Sequence, residues 1–103
     1  MVAYAVDPWT ALGDPSRRLI FERLTERSQS VTEIADGMPI SRPAVSQHLR
    51  VLKQACLVRD RPVGTRRIYE VDPQGLAALR GELDRFWGKT LENFKQLADE
   101  EGD

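Results

Sequence analysis

The stretch that decides the fold is "VTEIADGMPISRPAVSQHLRVLKQACLV", Val31 to Val58. It holds two helical patterns on either side of Gly37-Met38-Pro39. Ser30, just ahead of it, can accept a hydrogen bond from a first-turn amide, and Glu33 three residues on completes a capping box. A short helix is expected from Val31 to about Asp36, with Ile34 and Ala35 facing inward. Gly37 ends it and Pro39 keeps it from resuming. Ser41 opens a second helix running to about Gln54 or Ala55. Helix, tight turn and helix make a helix-turn-helix, spanning about residues 31–55.

On a wheel of about 100° per residue, Val45, Leu49, Leu52, His48, Ala55, Ala44 and Val51 fall in one arc of the second helix. Arg42, Lys53, Ser46, Arg50, Pro43, Gln54 and Gln47 fill the rest. That second arc carries bases and no acid. An ordinary solvent face mixes signs, because opposite charges four residues apart support each other. This face suits the major groove instead: Arg pairs with guanine, Gln with adenine, and Ser with either. N-terminal residues of such a helix reach the bases, which singles out Arg42, Ser46 and Gln47. Ser41 and the amides behind it are placed for a phosphate. Arg50 and Lys53, further along, are expected at phosphates too.

Leu57 to Val63 and Arg66 to Val71 have strand character around Gly64-Thr65, so a hairpin wing is expected over about residues 57–71. Thr65, Arg66 and Arg67 sit at its tip, with Arg59 and Arg61 on the first strand. Such a tip can follow the backbone or enter the minor groove. Upstream, Asp14-Pro15 reads as the start of a helix ending near Thr25, with Leu19, Ile20, Leu24 and Phe21 inward. Arg27-Ser28-Gln29-Ser30 reads as a polar loop. Downstream, Asp72-Pro73 caps a last helix ending near Ala98, before a frayed acidic end, Asp99 to Asp103. The expected fold is mainly α: one winged helix-turn-helix domain, 1–103, with a two-stranded β-hairpin wing and a long C-terminal dimerisation helix over about 73–98.

Charge follows the same division. The chain's net charge is −1, yet residues 41–68 hold seven bases (Arg42, Arg50, Lys53, Arg59, Arg61, Arg66, Arg67) against Asp60 alone. The segments before and after are acidic. A basic island between acidic flanks favours a polyanion and limits indiscriminate adhesion. Apolar residues at 41% and charged residues at 30% suit a folded chain rather than a disordered one. No apolar run approaches the ~20 residues of a bilayer crossing, and no signal-peptide layout opens the chain. With one cysteine, the expectation is a cytoplasmic protein without membrane contact.

The last helix carries Leu76, Leu79, Leu83, Phe86, Trp87, Leu91, Phe94 and Leu97 at spacings of one, three and four, one apolar stripe. Over 73–98 the helix is about 39 Å long, more than so small a domain can cover. A second copy is the expected cover, with Trp9, Leu83, Phe86, Trp87, Leu91 and Phe94 in the interface and Tyr4 and Val6 adding apolar surface nearby. A two-fold dimer would present two recognition helices about one DNA turn apart, to an inverted-repeat operator.

Three segments, "DPWTALGDPSRRLIFERL", "SVTEIADGMPISRPAVSQHLRVLKQACLV" and "RPVGTRRIYEVDP", make the chain resemble the ArsR-type winged-helix repressors over roughly Asp7 to Phe94. The resemblance implies a homodimer, joined through its first and last helices, that binds an operator on double-stranded DNA and represses transcription, often of its own operon. Many such proteins sense metals through a cysteine pair on the short helix before the turn, or through Asp and His on the last helix. Here Val31 to Asp36 contains no cysteine and the last helix no histidine. One Cys and one His build neither site within a chain, so a metal-independent member is expected, with no cofactor and with an unknown small molecule as the remaining effector class.

His48 lies among apolar neighbours and is expected to be packed and hydrogen-bonded, not a ligand. Cys56 lies where Gly often caps a helix; a small buried side chain is expected there, with a thiol switch as the rival reading. No nucleophile, phosphate loop or paired carboxylate supports catalysis, so the chain is not expected to be an enzyme. The competing function is a winged-helix protein-interaction module with an acidic partner. The Ser and Gln residues among the arginines fit base edges better than carboxylates.

Overall fold

Asp-Pro pairs open three of the helices in the computed structural model, which describes residues 5–101. The Asp7 and Asp14 carboxylates accept from the backbone N–H groups of Thr10 and Arg17 at 2.9 and 3.0 Å, and Asp72 accepts from Gln74 at 3.0 Å. The prolines occupy first-turn positions where the missing N–H costs nothing. The elements are α1 (Pro8–Gly13), α2 (Pro15–Glu26), β1 (Gln29–Ser30), α3 (Val31–Asp36), α4 (Arg42–Gln54), β2 (Val58–Val63), β3 (Arg66–Val71) and α5 (Pro73–Glu101).

The helix-turn-helix is α3 and α4. The capping box forms in full: Ser30 Oγ accepts from the Glu33 N–H at 3.3 Å, and Glu33 Oε1 accepts from the Ser30 N–H at 3.2 Å. Ser41 caps α4 through the Ala44 N–H at 3.3 Å. At its other end α4 closes in a Schellman motif, with Cys56 N–H donating to Lys53 O and Leu57 N–H to Leu52 O, each at 3.0 Å. Cys56 takes the left-handed position of that motif, at φ +61°.

The wing is the expected hairpin, β2 paired antiparallel to β3, with Val63 opposite Arg66 across Gly64-Thr65. Gly64 has φ +62° and Thr65 does not share the positive sign. That matches the two-residue turn with glycine first, whose twist suits the flanking strands. β1 pairs on the other edge of β3, giving the sheet order β1-β3-β2.

The core joins Ala11 of α1, Ile20, Phe21 and Leu24 of α2, Ile34 of α3, Val45, Leu49 and Leu52 of α4, and Ala55, Leu57, Val58 and Leu79 around them. The apolar arc expected for α4 is the one that faces it. The N-terminal segment closes over this core, Ala5 N–H and Val6 N–H both donating to Gln54 O at 3.2 and 3.3 Å. Gly75 packs so closely on the end of α4 that an added Cβ would collide with Cys56 O. The first turn of α5 therefore rests directly on the C-terminal cap of α4, and Asp72 N–H to Leu57 O at 2.9 Å fixes the contact.

Five expectations need correction. Regular structure begins at Pro8, not Pro15, because Asp7-Pro8 works as Asp14-Pro15 does. Gln29 and Ser30 are a buried edge strand, not loop: pairing with β3 satisfies their backbone, and Gln29 Nε2 donates to Arg23 O at 3.2 Å. Leu19 is exposed, because Ile20, Phe21 and Leu24 set the inner face of α2 and Leu19 points away from their mean direction. His48 is half-buried and its ring makes no hydrogen bond among the described residues. The acidic end continues α5 as helix through Glu101. Tyr4, Gly102 and Asp103 lie outside the described residues.

Candidate nucleic-acid interface

Every polar residue singled out on α4 is exposed: Arg42, Ser46, Gln47, Arg50, Lys53 and Gln54 line the side opposite Val45, Leu49 and Leu52. Burying one arc of a regular helix presents the other as a continuous strip. Ser41 stands at the head of the strip with its hydroxyl engaged in the N-cap. Arg42 and Arg50 have no acidic partner among the described residues.

The remaining cations are held by acids, and the register of the hairpin explains which. Side chains alternate along a strand, so Val58, Asp60 and Pro62 share one face with Arg67, Tyr69 and Val71. On that face Asp60 Oδ2 accepts from Arg67 Nη1 at 2.7 Å, while its Oδ1 meets Lys53 Nζ from α4 at 2.7 Å. The Asp60 side chain is only 7% exposed. The bond from Lys53, with that from Arg67, holds its carboxyl below the usual carboxylate range against the opposing effect of burial.

The opposite face carries Arg59, Arg61 and Arg66. Arg59 Nε and Arg61 Nε share Glu70 Oε1, at 3.2 and 3.6 Å. Arg66 Nη2 reaches back to Glu33 Oε1 and Ser30 Oγ, both at 2.8 Å, tying the wing tip to the N-cap of α3. The Glu33 carboxyl is held low by the Ser30 N–H first, then by the Ser30 hydroxyl and Arg66. Thr65 sits exposed at the tip.

The basic island of the sequence is therefore less stark in space, because Glu33 and Glu70 fold onto it from the acidic flanks. Sequence reasoning missed these pairings and the role of Asp60. Two signals were available for Asp60. It is the lone acid between two arginines, and the period of two turns it away from both, towards α4.

The second feature is α5. From Leu83 onward it leaves the core, and Leu83, Phe86, Trp87, Leu91, Phe94 and Leu97 are 50–71% exposed. Trp9 of α1 stands beside its base, donating Nε1–H to Glu82 Oε2 at 2.8 Å. The molecule extends 67 Å with a radius of gyration of 17.8 Å, against about 13 Å for a compact chain of this length. No helix is long and apolar enough to cross a membrane among the described residues.

A family described as a helix-turn-helix domain matches residues 12–61. The HTH-type transcriptional regulator Rv2034 of Mycobacterium tuberculosis is 60% identical over 95 residues, covering 92% of this chain and 89% of that protein. The chain belongs to the ArsR-type family of winged helix-turn-helix transcriptional regulators. Among solved structures, a possible transcriptional regulator for arsenical resistance superposes with a TM-score of 0.73 at 46% identity, covering 81% of this chain and 86% of that one. The homodimeric winged helix-turn-helix DNA-binding domain Mb0332 of Mycobacterium bovis, a possible ArsR-family regulator, gives 0.64 at 27% identity, covering 82% and 79%. The chain is thus a transcriptional regulator with a helix-turn-helix DNA-binding domain, and α3 and α4 lie within the residues that the family matches.

Proposed function

We propose that the protein is a homodimeric repressor that grips an inverted-repeat operator with two copies of α4 in successive major grooves. The observation that carries the reading is the strip on α4: bases, serine and glutamine without an acid, opposite a fully buried apolar arc. In this reading Arg42, Ser46 and Gln47 read base edges, Ser41 and Arg50 touch phosphates, and Thr65 with Arg67 follows the backbone beside them. Lys53 reaches a phosphate from the end of the helix. Arg66 contributes charge at the tip while bracing the wing.

The dimer is supported by the exposed apolar stripe of α5, since a contiguous exposed apolar surface marks an interaction site, and by the homodimeric relative. Trp9, Leu83, Phe86, Trp87, Leu91 and Phe94 are its proposed contacts. Metal independence rests on the donor set: one cysteine and one histidine in the chain, and no cluster of three potential ligands among the described residues. A small molecule remains the proposed class of any effector.

Selection of duplexes from a random-sequence pool, followed by footprinting, tests the reading. Arg42→Ala and Gln47→Ala are expected to erode preference at defined positions by about 1–3 kcal/mol each. Arg67→Ala is expected to weaken binding without shifting the preference at any one base position. The reverse pattern would sink the assignment.

A further inference from the structure

Lys53 and Arg67 come from different elements, the last turn of α4 and strand β3, yet they converge on one carboxylate. Asp60 holds each at 2.7 Å through a different oxygen. It is 7% exposed, whereas both cations keep more than half of their side-chain surface in water, 56% each. The acid is thus the inner anchor and the cations are the outer, working ends. Charge-assisted bonds to a shielded carboxylate are short and directional, and breaking one side of such an arrangement strands a buried charge. The Arg59–Glu70, Arg61–Glu70 and Arg66–Glu33 pairs are more open on the acid side, at 24–37% exposure, so solvent screens them more.

Two physical consequences follow. The anchor fixes the angle between recognition helix and wing, so both meet the duplex as one body. It also cancels part of the charge of two residues that would otherwise seek any phosphate. Sequence-blind binding is governed by cations free to displace counterions. Binding to the right site depends on geometry as well.

We propose that Asp60 is the positioning residue that sets specificity: it orients Lys53 and Arg67 for the operator backbone and restrains them from other DNA. The proposal rests on the DNA interface argued above. Fluorescence anisotropy with the full chain tests it, using a duplex recovered by selection and poly(dI-dC), each titrated between about 50 and 300 mM salt. For Asp60→Asn, binding to poly(dI-dC) is expected to tighten roughly fivefold to tenfold and its log–log salt slope to steepen by about one unit, one extra phosphate engaged. The selected duplex gains less, so the ratio between the two falls. Asp60→Glu, which keeps the charge, is expected to retain the wild-type slope. An Asp60→Asn protein with the wild-type ratio and slopes overturns the proposal. So does an equal loss on both duplexes at unchanged slope, the mark of a merely structural residue, or an Asp60→Glu protein that behaves as Asp60→Asn does. Wild-type protein that binds neither duplex overturns the DNA interface and this proposal with it.

Discussion

Two residues occupy positions that their chemistry does not prefer, and each makes a measurable statement. Cys56 holds φ +61° at the end of α4, where the Schellman motif asks for glycine. A side chain there meets the following carbonyl, a cost of about 1–2 kcal/mol. Cys56→Gly is therefore expected to raise stability by about 1 kcal/mol in urea unfolding; an unchanged or lower midpoint would contradict it. Asp60 makes the second statement. Its folded pKa lies below its unfolded value, so the stability it contributes is present above the usual carboxylate pKa of ~3.9 and is lost as pH falls through the folded value. Asp60→Asn should be less stable than wild type at neutral pH, and the two stability curves should draw together as pH falls below the usual carboxylate range. Parallel curves would show that Asp60 does not titrate in this way. Asp14 and Glu33, also held low, act in the same direction in both proteins.

Among the elements, those with local signals were legible and those made by long-range pairing were not. α3 and α4 announce themselves through Ser30, Glu33, Gly37 and Ser41, whose effects reach only three or four residues. The hairpin is read from Gly64-Thr65 between two β-prone runs. β1 carries no such signal: Gln29 and Ser30 are polar, and only β3, some forty residues on, makes them a strand. The same holds for the Arg66–Glu33 pair, whose partners are 33 residues apart, whereas Arg59–Glu70 follows from the hairpin register, which sets the two opposite each other. α5 is the converse case. Its stripe is plain in the sequence, and its lack of cover is plain in the structure. Gly81 and Gly88 weaken its middle by about 1 kcal/mol each relative to alanine, and an unsupported helix of this kind is marginal in water. Phe94→Glu and Trp87→Glu should therefore shift sedimentation towards the monomer and lower helical circular dichroism together. A variant that remains dimeric at micromolar concentration would place the interface elsewhere.

For the whole molecule, the contact between α5 and α4 joins the proposed dimer surface to the proposed DNA face. Gly75 rests on Cys56 O, Asp72 N–H binds Leu57 O, and Asp60 then links the end of α4 to the wing. The surface proposed to bind a second chain and the surface proposed to bind DNA are thus connected by one continuous path of contacts. Loss of the dimer would leave each half holding one recognition helix without a fixed partner spacing. The most direct test is a stoichiometric titration of a selected inverted-repeat duplex, followed by sedimentation and anisotropy at about 50 mM salt and again at about 200 mM. The account predicts two protomers per duplex and an affinity that falls by about 10³ or more across that range, as six or more phosphate contacts require. A single protomer per duplex, or no binding at the lower salt, would contradict it.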